Sequence, residues 1–170
     1  MKTKAKPITI ALDRLKEVLQ YDPLTGIWTW LVRTSNRIRI GDVAGRSDEL
    51  GYVRIRVDGT DYLAHRLAWF YMTGDNDPSE LDHEDGHPSN NRFKNIREAT
   101  RSQNTANTRL RAGKALPKGV SLSANGLRYI AQFVHKRVTR YLGTFDTPAE
   151  AHAAYMFAAK DHHGAFARAA

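Results

Sequence analysis

The sequence predicts an α+β protein in two parts. The first is a mixed helix-and-strand domain over residues 1–112. The second is a small three-stranded antiparallel sheet with one helix over residues 118–170, and residues 113–117 read as the linker. Three observations carry this division. Apolar residues recur at helical spacing in residues 9–20, they alternate with charged ones in residues 51–65, and two capping boxes mark the starts of later helices.

In "TIALDRLKEVLQ", Leu12, Leu15, Val18 and Leu19 fall on one helical face, and Thr9 is a candidate cap. "DPLTG" then breaks the chain, and "IWTWLV" (27–32) reads as a strand. In "GYVRIRVDGTDYLAH", Val53, Ile55 and Val57 alternate with Arg54 and Arg56, and Asp58-Gly59 supplies a hairpin turn. "RLAWFYMTG" predicts a short apolar helix ended by Gly74, with its aromatic residues in the core. "LDHEDGH" reads as a hairpin turning at Asp85-Gly86. The box Thr100/Gln103 starts a helix expected to run from about 101 to 112, with Gly113 ending it.

Beyond residue 118, "GVSLS", "LRYIAQFV" and "RVTRYLG" read as three strands. They turn at Asn125-Gly126 and at His135-Lys136. Thr147, Pro148 and Glu150 form the second capping box, ahead of a helix expected to seat Ala151, Ala154, Tyr155 and Ala158 on the sheet.

Composition narrows the function. There is no Cys among the 170 residues, which excludes disulfides, Cys-based zinc fingers and Cys nucleophiles. No apolar run reaches membrane-spanning length, and Asp13, Arg14 and Lys16 cut short the early apolar segment, so an intracellular protein is expected. Residues 1–100 carry 15 Lys and Arg against 15 Asp and Glu. Residues 101–170 carry 11 against 3, which accounts for the whole net charge of +8. No carboxylate lies between Glu98 and Asp146, whereas nine Lys and Arg do, interleaved with Tyr129, Phe133 and Tyr141. A one-signed block with aromatic residues points to nucleic acid.

The stretch "HEDGH" (83–87) fits H-E-x-x-H, a zinc-protease signature that works only on a helix. Asp85-Gly86 favours a turn and Pro88 forces His87 out of the α region, so the zinc reading is set aside. The wider segment 81–104 carries a different chemistry. It holds a carboxylate beside an imidazole (Asp82, His83) and two amides (Asn95, Asn104). Phosphodiester hydrolysis needs a base near neutrality, which His supplies, and a cation at the leaving oxygen. Asp82 and Asn104 are hard oxygen donors suited to a Mg²⁺-like ion.

The order "AHRLAW", "DHEDG", "NN", "NIREAT", "SQN" resembles the HNH endonucleases of phage homing type, which adopt a ββα-metal fold. The upstream "LQYDPLTGIWTW", "GDVAG" and "GYVRIRVDG" are similar to the N-terminal part of the same proteins, so the likeness covers about residues 10–110. The resemblance implies His83 as general base, Asp82 as a metal ligand and Asn95 as the residue bracing the loop that aims the histidine. Asn104 stands where many members have a final His, which implies one divalent cation, Mg²⁺ or Mn²⁺, rather than zinc. His65 is expected close to the catalytic group, as a DNA contact or behind the site.

"KGVSLSANGLRYIAQFVHKRVTRYLGTFDTPAEAHAAY" resembles the AP2 domain, whose sheet lies in the DNA major groove. The likeness implies base contacts from Lys118, Arg128, Gln132 and Tyr141, and phosphate contacts from Lys136, Arg137 and Arg140. Ser121, Ser123, Val134 and Thr139 stand where plant members have Arg, so the plant target sequence is not implied. The combined expectation is a metal-dependent DNA endonuclease acting on double-stranded DNA in the cytoplasm of a bacterial or phage-infected cell. The alternative is a non-catalytic, sequence-specific DNA-binding regulator with a degenerate HNH domain.

Overall fold

The computed structural model describes residues 7–78, 80–108, 115–135 and 138–169. They form two compact units, Met1–Glu98 and Ala99–Ala170. The division falls ahead of the segment 113–117, whose residues 113 and 114 lie outside those described.

The first unit opens with α1 (Leu12–Val18), which buries Leu15 and Val18. Thr9 does not cap it. The cap position is Ala11, with no side-chain bond, and the Thr9 hydroxyl instead meets the Tyr62 hydroxyl at 2.9 Å. The chain turns extended at Leu19 and enters β1 (Leu19–Tyr21), which pairs antiparallel with β2 (Trp28–Trp30). Between them Asp22 closes the turn by accepting from the Leu24 amide at 2.9 Å and the Thr25 hydroxyl at 2.7 Å.

A second sheet, in the order β3-β4-β5, is built from β3 (Arg46–Ser47), β4 (Val53–Val57) and β5 (Thr60–Leu63). Asp58 and Gly59 turn the β4–β5 hairpin with φ of 46° and 82°, as the two-residue turn requires. Helix α2 (Ala64–Thr73) follows at once and stops at Gly74, whose φ of 80° is the left-handed cap. Trp28, Leu15, Leu19, Ile55, Leu67, Val18 and Val57 fill the centre of this unit. Tyr21, Trp28 and Tyr71 stack and edge against one another with ring centroids 4.7–5.9 Å apart.

The next strand, β6 (Leu81–His83), does not fold back on the residues just beyond Asp85-Gly86 as the sequence suggested. The turn forms, with the Gly86 amide donating to the His83 carbonyl at 2.8 Å. The partner strand is β7 (Ile96–Glu98), reached after a loop that ends in a 3-10 turn at Phe93–Asn95. Pro88 and the run Ser89-Asn90-Asn91 keep the intervening chain from continuing as a strand, so the pairing waits for the next apolar residue, Ile96.

In the second unit α3 (Arg101–Asn107) carries both bonds of the expected capping box, from Thr100 and Gln103. The helix ends at Asn107, short of residue 112, because Thr108 is already extended; Gly113 lies outside the described residues. Strands β8 (Val120–Leu122), β9 (Tyr129–His135) and β10 (Val138–Phe145) form an antiparallel sheet in the order β10-β9-β8. Helix α4 (Pro148–His163), capped by Thr147 and Glu150, packs on it. Its buried stripe is Ala151, Tyr155, Ala159 and His163; Ala154 and Ala158 of the expected face are only partly covered. Among the described residues no helix is long and apolar enough to cross a membrane.

Candidate active site

The β6–β7 pair and the loop between its strands assemble the site. The register sets Asp82 opposite Arg97 and His83 opposite Ile96. Consecutive strand residues point to opposite sides, and here the two side chains meet different neighbours. Arg97 Nε and Nη2 each lie 3.1 Å from Asp82 Oδ2, and Arg97 Nη1 lies 3.4 Å from Glu84 Oε1. The His83 ring lies edge-on to His65 with centroids 4.7 Å apart, and Tyr52 stands 6.0 Å from His83 and 5.7 Å from His65. Asp82, His83 and His65 are all buried, each about 6% exposed.

Burial also decides the charge on the imidazoles. It pushes the His65 pKa well below its ordinary value, and the neighbouring His83 and Arg66 push it further. Burial lowers that of His83 as well, against smaller opposing effects of the Asn91 bond, Asp85 and Asp82. Both rings are therefore neutral at pH 7, the form that can accept a proton.

The loop is tied internally by Asn95. Its Nδ2 donates to Asp85 Oδ1 at 3.0 Å and to the Asn90 carbonyl at 2.8 Å, while its Oδ1 accepts from the Asp85 amide at 3.0 Å. The Glu84 amide adds a bond to the Asn95 carbonyl at 2.8 Å. Asp85 in turn accepts from Asn90 Nδ2 at 2.6 Å and from the His87 amide at 2.8 Å. Two residues absent from the sequence expectations also belong to the site. Asn91 reaches His83 Nε2 with Oδ1 at 3.3 Å, and Arg97 holds Asp82. Asn91 sits in a run of turn-forming residues, which gives no sign of a buried role; Arg97 is legible only once the strand partner of β6 is known.

Asn104 lies on α3, in the second unit. There the β9–β10 register pairs Gln132 with Tyr141 and Val134 with Thr139, all exposed on the face opposite the buried Phe133. Arg140 pairs with the buried Phe133 and is itself exposed. Lys118 turns its ammonium onto the end of α3, donating to the carbonyls of Thr105 at 3.3 Å, Thr108 at 3.0 Å and Ala106. Burial lowers its pKa, and Arg168 adds to the effect. Arg128 pairs with Asp146 at 2.9 Å. Lys136 and Arg137 lie outside the described residues.

Residues 62–106 match the family model of the HNH endonuclease. The matched segment contains His65, Asp82, His83, Asn91, Asn95, Arg97 and Asn104. The match supports a nuclease with DNA as its substrate, and HNH nucleases generally use a divalent metal. No curated protein and no solved structure matches the chain. In the HNH segment the strand pair β6–β7 precedes α3 in the chain, with His83 at the end of the first strand. Among the described residues no three His, Cys, Asp or Glu side chains are grouped as a metal site. The buried Asp82 carboxylate is a hard oxygen donor, the type of group a Mg²⁺-like cation accepts.

Proposed function

We propose that the chain is a metal-dependent DNA endonuclease of phage or homing type, with His83 as its general base. The observation that supports this best is a buried, neutral histidine inside the HNH segment, held at one ring nitrogen by an amide and following a buried carboxylate in the chain. His83 takes the proton of an attacking water, and the hydroxide formed bonds to phosphorus as the bond to the leaving sugar oxygen breaks, that oxygen keeping the electron pair and taking a proton from solvent. Asn95 braces the 84–95 loop that aims His83, through its bonds to Asp85 and Asn90. The neutral His65 ring lies edge-on beside the base, with centroids 4.7 Å apart.

Asp82 and Asn104 are the residues that would hold one Mg²⁺ or Mn²⁺ ion. When bound, such a cation supplies charge stabilisation at the phosphorane and the leaving oxygen. In this reading residues 118–170 form an AP2-like DNA-binding domain. Arg128, with Gln132 and Tyr141 on the exposed sheet face, contacts bases, and Lys136 and Arg137 contact phosphates. Arg140, exposed on β10, joins the phosphate contacts, whereas Lys118 joins the base contacts only by leaving the end of α3, which it caps.

A second reading has one observation in its favour. Arg97 already neutralises Asp82, as it would in a regulator that binds DNA without cutting it. One experiment separates the two. Supercoiled plasmid is incubated with wild type and with His83→Ala, with Mg²⁺ and with EDTA. Cutting by wild type alone, abolished by the variant and by the chelator, is expected. Salt-sensitive binding with no cutting of any DNA, phage DNA included, hands the case to the regulator.

A further inference from the structure

We propose that the open face of the second unit's sheet selects A·T base pairs in the major groove, through contact with thymine methyl groups and a two-pronged bond from Gln132 to adenine. The proposal rests on the reading of residues 118–170 as the DNA-binding domain and adds the class of sequence that the domain prefers. It holds whether or not the first unit cuts the bound DNA.

Helix α4 covers one face of the sheet. Ala131 and Phe133 are buried, and Phe133 packs with Tyr155 and Ala159 of the helix. Alternation along β9 therefore turns Ile130, Gln132 and Val134 the other way. The register adds their neighbours on β10, setting Thr144 opposite Ile130, Tyr141 opposite Gln132 and Thr139 opposite Val134. In a regular strand Tyr141 and Thr144, three residues apart, would lie on opposite faces. A bulge between Tyr141 and Gly143 brings them to the same face, while Leu142 packs against the core under the helix. The two hydroxyls meet at 2.7 Å, which holds the Tyr141 side chain in place across from Gln132.

Charge favours a polyanion on this side of the unit. Of the three carboxylates in residues 101–170, Glu150 and Asp161 lie on α4 and Asp146 shortly precedes it. Residues 118–145 hold five Lys and Arg and no carboxylate. The six side chains of the open face nevertheless carry no charge. The flanking cations serve the phosphates, which every sequence shares, and the uncharged face is left to the bases.

The groove then decides what such a face can read. Guanine offers two acceptors, O6 and N7, which suit the paired donors of Arg. Adenine offers N7 and an amino group, which match the two ends of a Gln amide. Thymine adds a methyl group, which takes an apolar contact. Gln132 thus fits adenine, and Val134, 59% exposed, fits thymine together with the Thr139 methyl opposite it. Arg128 is held by Asp146 at 2.9 Å and stands four residues from Gln132. That is about 13 Å along the chain, so a base it reads lies outside the stretch under Gln132 and Val134.

The test compares duplexes that differ in one chemical group. Fluorescence anisotropy of the full chain is measured in EDTA, so that no metal-dependent cutting intervenes. The labelled duplexes alternate A with T, A with uracil, or G with C. Wild type is expected to bind the A·T duplex about tenfold more tightly than the G·C one. Uracil in place of thymine removes only the methyl and is expected to weaken binding by about fourfold or more. Val134→Ser is expected to erase the preference for thymine over uracil, and Gln132→Ala most of the preference for A·T over G·C. Both side chains are exposed, and circular dichroism checks that the variants keep their fold. Equal affinity for the thymine and uracil duplexes overturns the proposal, as does a G·C duplex bound as tightly as the A·T one. So does a folded Val134→Ser chain that still tells thymine from uracil. The DNA-binding reading beneath it fails differently, by showing no salt-sensitive binding to any of the three duplexes, and the proposal then falls with it.

Discussion

Arg97 grips the Asp82 carboxylate from directly across the β6–β7 pair, with two of its nitrogens 3.1 Å from Oδ2. Neither side chain is well solvated, at 19% and 6% exposure, so the pair stands in a medium where removing one charge is expensive. Arg97→Ala is therefore expected to lower unfolding free energy by about 3 kcal/mol, the low end for a broken buried pair. Urea denaturation at pH 7.5 measures it. A loss within error of zero would mean that water replaces Arg97 around Asp82.

Acid should weaken the first unit through its two neutral histidines. Both have folded pKa values below the unfolded one, which is about 6.5. Above that pH neither state binds the proton, and stability is complete. Below it the unfolded chain binds protons that the native rings refuse, so stability falls by up to about 1.4 kcal/mol per pH unit per ring, until the folded values are reached. Urea melts from pH 7.5 to 5.5 are expected to show this slope, and His65→Gln to reduce it by about half. An unchanged slope in His65→Gln would show that the imidazole of His65 charges freely.

Asn95→Ala removes the side chain that ties Asp85 to Asn90. The Asp85 amide loses its only side-chain acceptor drawn from Asn95, and its hydrogen exchange is expected to speed by about tenfold, as for a lost bond of roughly 1.4 kcal/mol. Nicking should fall with it, because the loop that carries Asn91 loosens. Exchange at the β4–β5 amides serves as the control and should not move.

Gly119→Ala is expected to be severe for the second unit. Gly119 has φ +78°, and an added Cβ would meet the Tyr155 ring at 2.0 Å. Tyr155 is one of three residues at the centre of that small core, with Phe133 and Ala159. A destabilisation of about 2–3 kcal/mol is expected from strain and overpacking together. Gly126→Ala, where nothing lies within 4 Å of the new Cβ, should cost clearly less.

The charge excess of residues 101–170 leads to a prediction for binding. If about six to ten phosphates are contacted, affinity for duplex DNA should drop roughly 10³–10⁵-fold between 50 and 200 mM salt. Fluorescence anisotropy with a labelled duplex measures the slope. Binding that is flat over this range would remove the tail from the DNA-binding account.

What could be read from the sequence was local. Asp58-Gly59 turns its hairpin, Gly74 ends α2, and Thr100/Gln103 and Thr147/Glu150 cap their helices, because each depends on residues within four positions of one another. Asp82, His83, Asn95 and Asn104 were likewise visible as residue types at a spacing, and all four fall in the segment that matches the HNH family model. Only the tertiary structure decided that β6 pairs with β7 across an intervening loop, which sets Arg97 on Asp82 and corrects the local hairpin. It alone decided that His83 and His65 are neutral, since burial is a property of everything packed around them. And it alone brought Asn91 to the base, through a turn that the chain leaves at Gly26 and meets again at Asn91, because closing that distance depends on the packing of the whole unit rather than on any neighbouring residue.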